Sequence, residues 1–212
     1  MYGSCSYAVK KLDVQSPEIC HTRPMRFAQG IIALFICTTA IQVIAISTEA
    51  FSSDTNEELP VTTVSDVDLE RYIGKWYEIA KIPNRFQKKC VRGTTAEYTL
   101  RDDGRVNVVN RCEEKDGSLS EARGIAKIVD TNSNAKLKVS FVSFLGWRPF
   151  WGDYWVIGLD EGYQWAVIGT PNHKYGWVLA RSPALDGEIM EEVFAVLERN
   201  GYKRDAFEMS SR

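Results

Sequence analysis

From residue 66 onward the chain is a succession of short runs rich in Val, Ile, Thr and aromatic residues, each closed by a turn signal. This spacing limits the fold more than any other feature, because alternating runs of this length read as β-strands. The runs fall at 75–82, 93–101, 105–112, 119–129, 135–143, 153–159, 163–170 and 174–182. Asp102-Asp103-Gly104, the stretch Asp130 to Asn134, Asp160-Glu161-Gly162 and Pro171-Asn172-His173 supply turns between them. Strands joined in order by short connections pair antiparallel. Eight of them closed on themselves leave an interior that side chains fill or that holds one small ligand. The predicted fold class is therefore all-β, an eight-stranded antiparallel up-and-down β-barrel. After Pro183 the period changes: Ile189, Val193, Val196 and Leu197 recur at helical spacing and Gly201 follows, predicting an amphipathic α-helix on the barrel wall.

The first 65 residues have a different character. Ile31 to Ile46 has Gln42 as its only strongly polar residue and follows Arg23 and Arg26. It is short of the ~20 residues a spanning helix needs, and a basic flank, an apolar stretch and small residues after it form an export signal. Residues 25–50 read as a signal peptide or signal anchor, with Thr48-Glu49-Ala50 as the cleavage region, and residues 1–24 as a start-site artefact or a real extension. Cys37 offers another reading, a lipid-modified cysteine, although Ile36 stands where such a signal wants a small residue. Residues 51–65 are polar, lack periodicity and read as a linker to the domain at 66–212. A formal charge of −2 and the absence of basic runs beside stacked aromatics give no reason to expect a nucleic-acid partner.

Up-and-down order assigns the two ends of the barrel. If the first strand starts at the base, the connections after strands one, three, five and seven lie at the mouth. Gly74-Lys75-Trp76 opens the first strand and Arg181 closes the last, so Trp76 and Arg181 meet at the base, where a guanidinium over an indole gains about 0.5–2 kcal/mol. Cys90 and Cys112 both fall at the mouth, and exported proteins permit disulfides, so these two are expected to be bridged.

The runs GKWYEIAKIPNRF (74–86), YTLRDDGRVNVVN (98–110), AKLKVSF (135–141), GDYWVIGLD (152–160) and WVLARSP (177–183) resemble the lipocalins. Among these they are most similar to the bacterial outer-membrane lipoprotein type and its plant and apolipoprotein D-like relatives. The structural motif residues are Gly74, Trp76, Asp160 and Arg181. The family's Thr-Asp-Tyr motif is Leu159-Asp160-Glu161 here, keeping Asp160 alone. The resemblance implies a protein that stores or carries small hydrophobic molecules, fatty acids or lysophospholipids, in the cell envelope. It places the protein at the periplasmic face of the outer membrane or in the periplasm, with a membrane association, a role in membrane maintenance and homodimer formation in some relatives.

Alternation places the ligand-facing residues. With Trp76 inward, Glu78, Ala80 and Ile82 follow it; Ala96 and Tyr98 share a face of the second strand, Val108 and Asn110 of the third, and Val139 and Phe141 of the fifth. The strands at 153–159 and 163–170 are apolar on both faces and cannot be oriented this way. Glu78 is the informative residue, since a buried carboxylate is costly unless paired or hydrated. It marks either a wet cavity, where it could meet the polar head of a ligand, or a pairing with a neighbouring Lys or Tyr. Phe86 and the loop residues Trp147, Phe150 and Trp151 are expected at the mouth, either covering a ligand or folding inward as a plug. No cofactor and no metal cluster is expected. With His21 and His173 its only histidines, the sequence offers no Ser-His-Asp or Cys-His arrangement, and it is read as a non-enzyme. The rival readings are an interaction protein with a filled barrel docking on a membrane or partner, and a lipid-modifying enzyme on the same scaffold.

Overall fold

A computed structural model of the chain describes residues 59–212. The extension, the export segment and Cys37 lie outside the described residues. A short helix α1 (Leu69–Tyr72) precedes eight strands: β1 (Gly74–Lys81), β2 (Cys90–Leu100), β3 (Val106–Glu114), β4 (Leu119–Ile128), β5 (Lys136–Ser140), β6 (Gly152–Leu159), β7 (Trp165–Gly169) and β8 (Gly176–Ala180). Each pairs antiparallel with the next, and β1 pairs with both β8 and β2, closing the barrel. The predicted strands lie where the alternating runs put them. Three are markedly shorter than expected: β7 and β8 each lose residues at both ends, and β5 stops at Ser140, where Arg148 Nη1 donates to the Ser140 carbonyl and Ser140 Oγ to that of Val142, turning the backbone out of the ladder.

Helix α2 (Gly187–Arg199) starts on Asp186, whose carboxylate accepts from the Ile189 amide at 2.9 Å. It buries Val193, Val196 and Leu197 against Ile157, Trp165, Val167, Val178 and Ala180 on the outside of the wall. This explains why β6 and β7 are apolar on both faces: one face looks into the barrel and the other lies under the helix. Val156, Ala166 and Ile168 belong to the inner cluster, and Ile157, Trp165 and Val167 to the outer one. The helix comes close at Gly158, where the register of β6 and β7 shifts. A Cβ there would stand 2.6 Å from Val196 Cγ1 and 3.3 Å from Val167 Cβ. Gly158→Ala should therefore cost about 1–3 kcal/mol by overpacking. A urea melt checks this, with Val196→Ala in the same chain expected to return part of the loss.

A second shift in register overturns one expectation. Between Glu78 and Ala80 the pairing of β1 with β8 slips, Glu78 facing Leu179 and Ala80 facing Val178. Ile79 is the extra residue of this bulge, and alternation restarts after it. Ala80 and Ile82, predicted to point inward, pack instead in the outer cluster with Ile79. Lys81 is the residue that reaches the Glu78 carboxylate.

Beyond α2 a two-residue strand, β9 (Glu208–Met209), pairs with β1 at Ala80 and Lys81. The Ser210 amide donates to the Ile79 carbonyl and the Gly93 amide to that of Ser211. The segment 208–211 thus occupies the edge that β1 offers after its ladder with β2 ends at Tyr77. In the stretch read as a linker, the Val64 amide donates to the Val156 carbonyl and the Thr62 amide to Asn200 Oδ1.

Candidate functional site

The base of the barrel is built by side chains that the motif brought together. Trp76 is fully buried and its indole donates to the Tyr72 carbonyl at 2.8 Å. The Arg181 guanidinium lies 3.8 Å above the Trp76 ring centre and donates to the carbonyls of Arg71, Tyr72, Ile73 and Lys75. Gly74 has φ +96°, and a Cβ on it would press on Arg181 Nη1 at 3.3 Å. Asp160 holds the turn after β6, accepting from the Gln164 amide at 2.9 Å. Asp68 caps α1 and, through its own amide, donates to the Tyr163 hydroxyl at 2.8 Å, fastening α1 across this end.

Above this floor lies a cavity of about 110 Å³. That far exceeds the ~10–15 Å³ that admits one water, so side chains do not fill the barrel. Glu78, Ala96, Tyr98, Val108, Asn110, Val139 and Phe141, all predicted to face inward, line it. Ala96 and Ala126 stand on β2 and β4 where a filled core would carry larger side chains. Ala80 does not line the cavity, for the reason given above.

Glu78 is both buried and fully partnered. Its carboxylate accepts from Lys81 Nζ at 2.9 Å, Gln87 Nε2 at 2.5 Å and Ser210 Oγ at 2.6 Å. The ion pair with a neighbouring Lys is thus present, and Glu78 at the same time lines the cavity. Gln87 in turn accepts from the Trp177 indole at 3.0 Å and from Asn84 Nδ2 at 2.7 Å. One carboxylate therefore ties together β1, the loop after it and the segment 208–211. Asp153, also in the lining, pairs with Lys138 at 2.7 Å.

At the mouth the aromatic residues divide. Phe86 is exposed and faces Tyr175 at 5.7 Å, which stacks on Trp177 at 6.0 Å, and Trp177 lines the cavity. Phe144, Leu145, Trp147 and Phe150 stand out into solvent, Leu145 at 92% exposure, so they do not plug the barrel. Their loop closes on itself through paired backbone bonds between Phe144 and Trp147. Trp151 lies back on the wall, its indole donating to the Arg148 carbonyl and its ring 4.4 Å from Lys127 Nζ. Phe86, Trp147, Phe150 and Trp151, expected to cover a ligand, are not part of the lining. The expected disulfide is present: Cys90 and Cys112 are joined, with Cα atoms 5.5 Å apart.

Sequence reasoning missed the polar centre of the cavity. Tyr154 Oη lies 2.8 Å from Tyr72 Oη and 3.0 Å from Tyr98 Oη, and all three tyrosines line the cavity. Burial pushes the Tyr98 hydroxyl up to about 12 and those of Tyr72 and Tyr154 well above the usual range, so all three are neutral donors at physiological pH. Tyr72 precedes the first strand and Tyr154 sits in a strand apolar on both faces, so alternation points to neither. Among the described residues no group of His, Cys, Asp and Glu is arranged to hold a metal.

Comparison with known proteins agrees with this architecture. A family model described as a lipocalin-like domain matches residues 67–212. The outer membrane lipoprotein Blc of Escherichia coli is 37% identical over 172 residues, covering 79% of this chain and 94% of that protein. Temperature-induced lipocalin-1 of Arabidopsis thaliana is 39% identical over 149 residues, covering 69% of this chain and 80% of that protein. Among solved structures, insecticyanin of the tobacco hornworm Manduca sexta superposes with a TM-score of 0.59 at 24% identity, over 72% of this chain and 84% of that one.

Proposed function

The chain belongs to the lipocalin-like family, and from that premise we propose that its barrel holds a single-chain lipid, a fatty acid or lysophospholipid, which it stores or carries in the cell envelope in support of membrane maintenance. Members of this family bind small hydrophobic ligands and are generally binding or transport proteins. The observation that carries the reading is the unfilled, mainly apolar cavity within a closed wall. It also weighs against the reading in which the barrel is full and the molecule acts by docking alone. The tail lies inside and the head group near the mouth. The envelope location rests on the relatives that are named outer membrane lipoproteins. The exposed apolar loop at 144–150 is the part that touches the membrane, aromatic rings beside Arg148 being suited to a lipid–water boundary.

Each buried methylene is worth ~0.8 kcal/mol, about fourfold in affinity. Titrating the Trp fluorescence with fatty acids and lysophospholipids of increasing length should show affinity rising with chain length and levelling off when the cavity is full. Ala96→Arg, which puts a bulky charge on the lining, should weaken binding at least about tenfold. Affinity that ignores both chain length and this substitution places the ligand outside the barrel and ends the carrier reading.

A further inference from the structure

The three tyrosine hydroxyls in the cavity carry three protons. Each bond between them uses one, and two such bonds are made, Tyr72 to Tyr154 and Tyr98 to Tyr154. Whatever the direction of each bond, one proton remains without an acceptor in the triad. No other protein acceptor lies within reach of these hydroxyls among the described residues. A buried donor without an acceptor is destabilising, and an alkyl tail pushed against it would displace whatever water served it. A second unspent group stands one inward position nearer the mouth. Asn110 pairs with Ala96, and Val108 with Tyr98, so Asn110 sits about 7 Å further along the strand. Its Oδ1 is buried with no donor. The ionisable lining residues besides the tyrosines are Glu78 and Asp153, both acidic, so no cation on the wall favours a carboxylate at depth.

We propose that the Tyr72–Tyr154–Tyr98 triad is a hydrogen-bonding subsite for an uncharged acceptor oxygen, a carbonyl or ether, carried at the leading end of an apolar ligand. This rests on the reading that the cavity takes an apolar molecule, and adds which molecules it prefers. A chain whose buried end carries such an oxygen satisfies the spare proton, whereas a plain hydrocarbon end leaves it unpaired. The neutrality of the three hydroxyls at physiological pH fits the same class of ligand.

The test compares palmitic acid with palmitic acid bearing a ketone next to its terminal methyl. Both are titrated by Trp fluorescence against the wild type and a variant in which Tyr72, Tyr98 and Tyr154 are each replaced by Phe. The ketone acid should bind the wild type about tenfold more tightly, the scale of one unpaired buried donor. The triple variant should lose that preference, its affinities for the two acids falling within about twofold of each other. Independently of the variant, the ketone C=O stretch of the wild-type complex should fall below its frequency in an alkane. Equal affinity of the two acids for the wild type, or a stretch at the alkane value, overturns the proposal alone. Binding of neither acid overturns the cavity reading and this proposal with it.

Discussion

Truncating Trp76 to alanine is expected to destabilise the barrel by about 3–5 kcal/mol, as for other buried aromatic truncations. The side chain is fully buried, donates to the Tyr72 carbonyl, packs on the Tyr72 ring at 5.1 Å and lies beneath Arg181. Its loss opens a void under a guanidinium whose other partners are backbone carbonyls. Arg181→Ala should cost less, about 1.5–3 kcal/mol, because its removal takes away charged hydrogen bonds and the contact with the ring but leaves the indole packed on Tyr72. Trp76 is not among the lining residues, so ligand affinity at a temperature where the variant is folded should stay within about threefold of the parent. A denaturant melt of Trp76→Ala matching the parent would show that the motif does not hold the base together.

Removing the disulfide is expected to have the next largest effect. Cys90 and Cys112 are separated by 22 residues, and closing a loop of that size is worth about 3 kcal/mol in the chain-entropy view. The bridge sits where the ladder needs it most, since the register of β2 on β3 shifts between Cys90 and Arg92 and again between Arg92 and Thr95. With Cys112 itself buried, replacing both cysteines by alanine should lower Tm by roughly 10 °C. Reducing agent should lower the parent by a similar amount and leave the double variant unchanged. Peptide mapping without reductant that recovers two free thiols would contradict the bridge.

Much of this molecule is legible in the sequence because its physics is local. Alternation at Ala96, Tyr98, Val108 and Asn110 places one face of β2 and β3, and turn residues fix the order of strands, so the barrel and most of its lining follow. The disulfide follows from the same order, which puts Cys90 and Cys112 at one end. What the pattern hides depends on contacts between distant segments. The bulge at Ile79 leaves no mark in the sequence of β1, yet it reverses the faces of Ala80 and Ile82. Tyr154 is invisible because the helix covers one side of β6 and makes both faces apolar. The partners of Glu78 include a residue 132 positions away, beyond any periodicity. Strand order puts the loop at 144–150 at the mouth but says nothing of where its rings go, and they stand exposed, outside the cavity lining.

That distant partner sets a clock. The Glu78 carboxylate and the edge of β1 beside it are completed by Ser210 and β9. A ribosome adding about 5–20 residues per second needs about 7–26 seconds to bridge those 132 positions. Throughout that interval β1 has half an edge without a partner, and β8, its neighbour on the other side, is itself about a hundred residues away. Contacts so far apart in the chain make folding slow, and a strand left waiting with Trp76, Tyr77 and Ile79 uncovered is prone to pair with the wrong neighbour. The wall of this barrel is therefore finished late by construction, and the newborn chain depends on keeping its first strand out of other company until then.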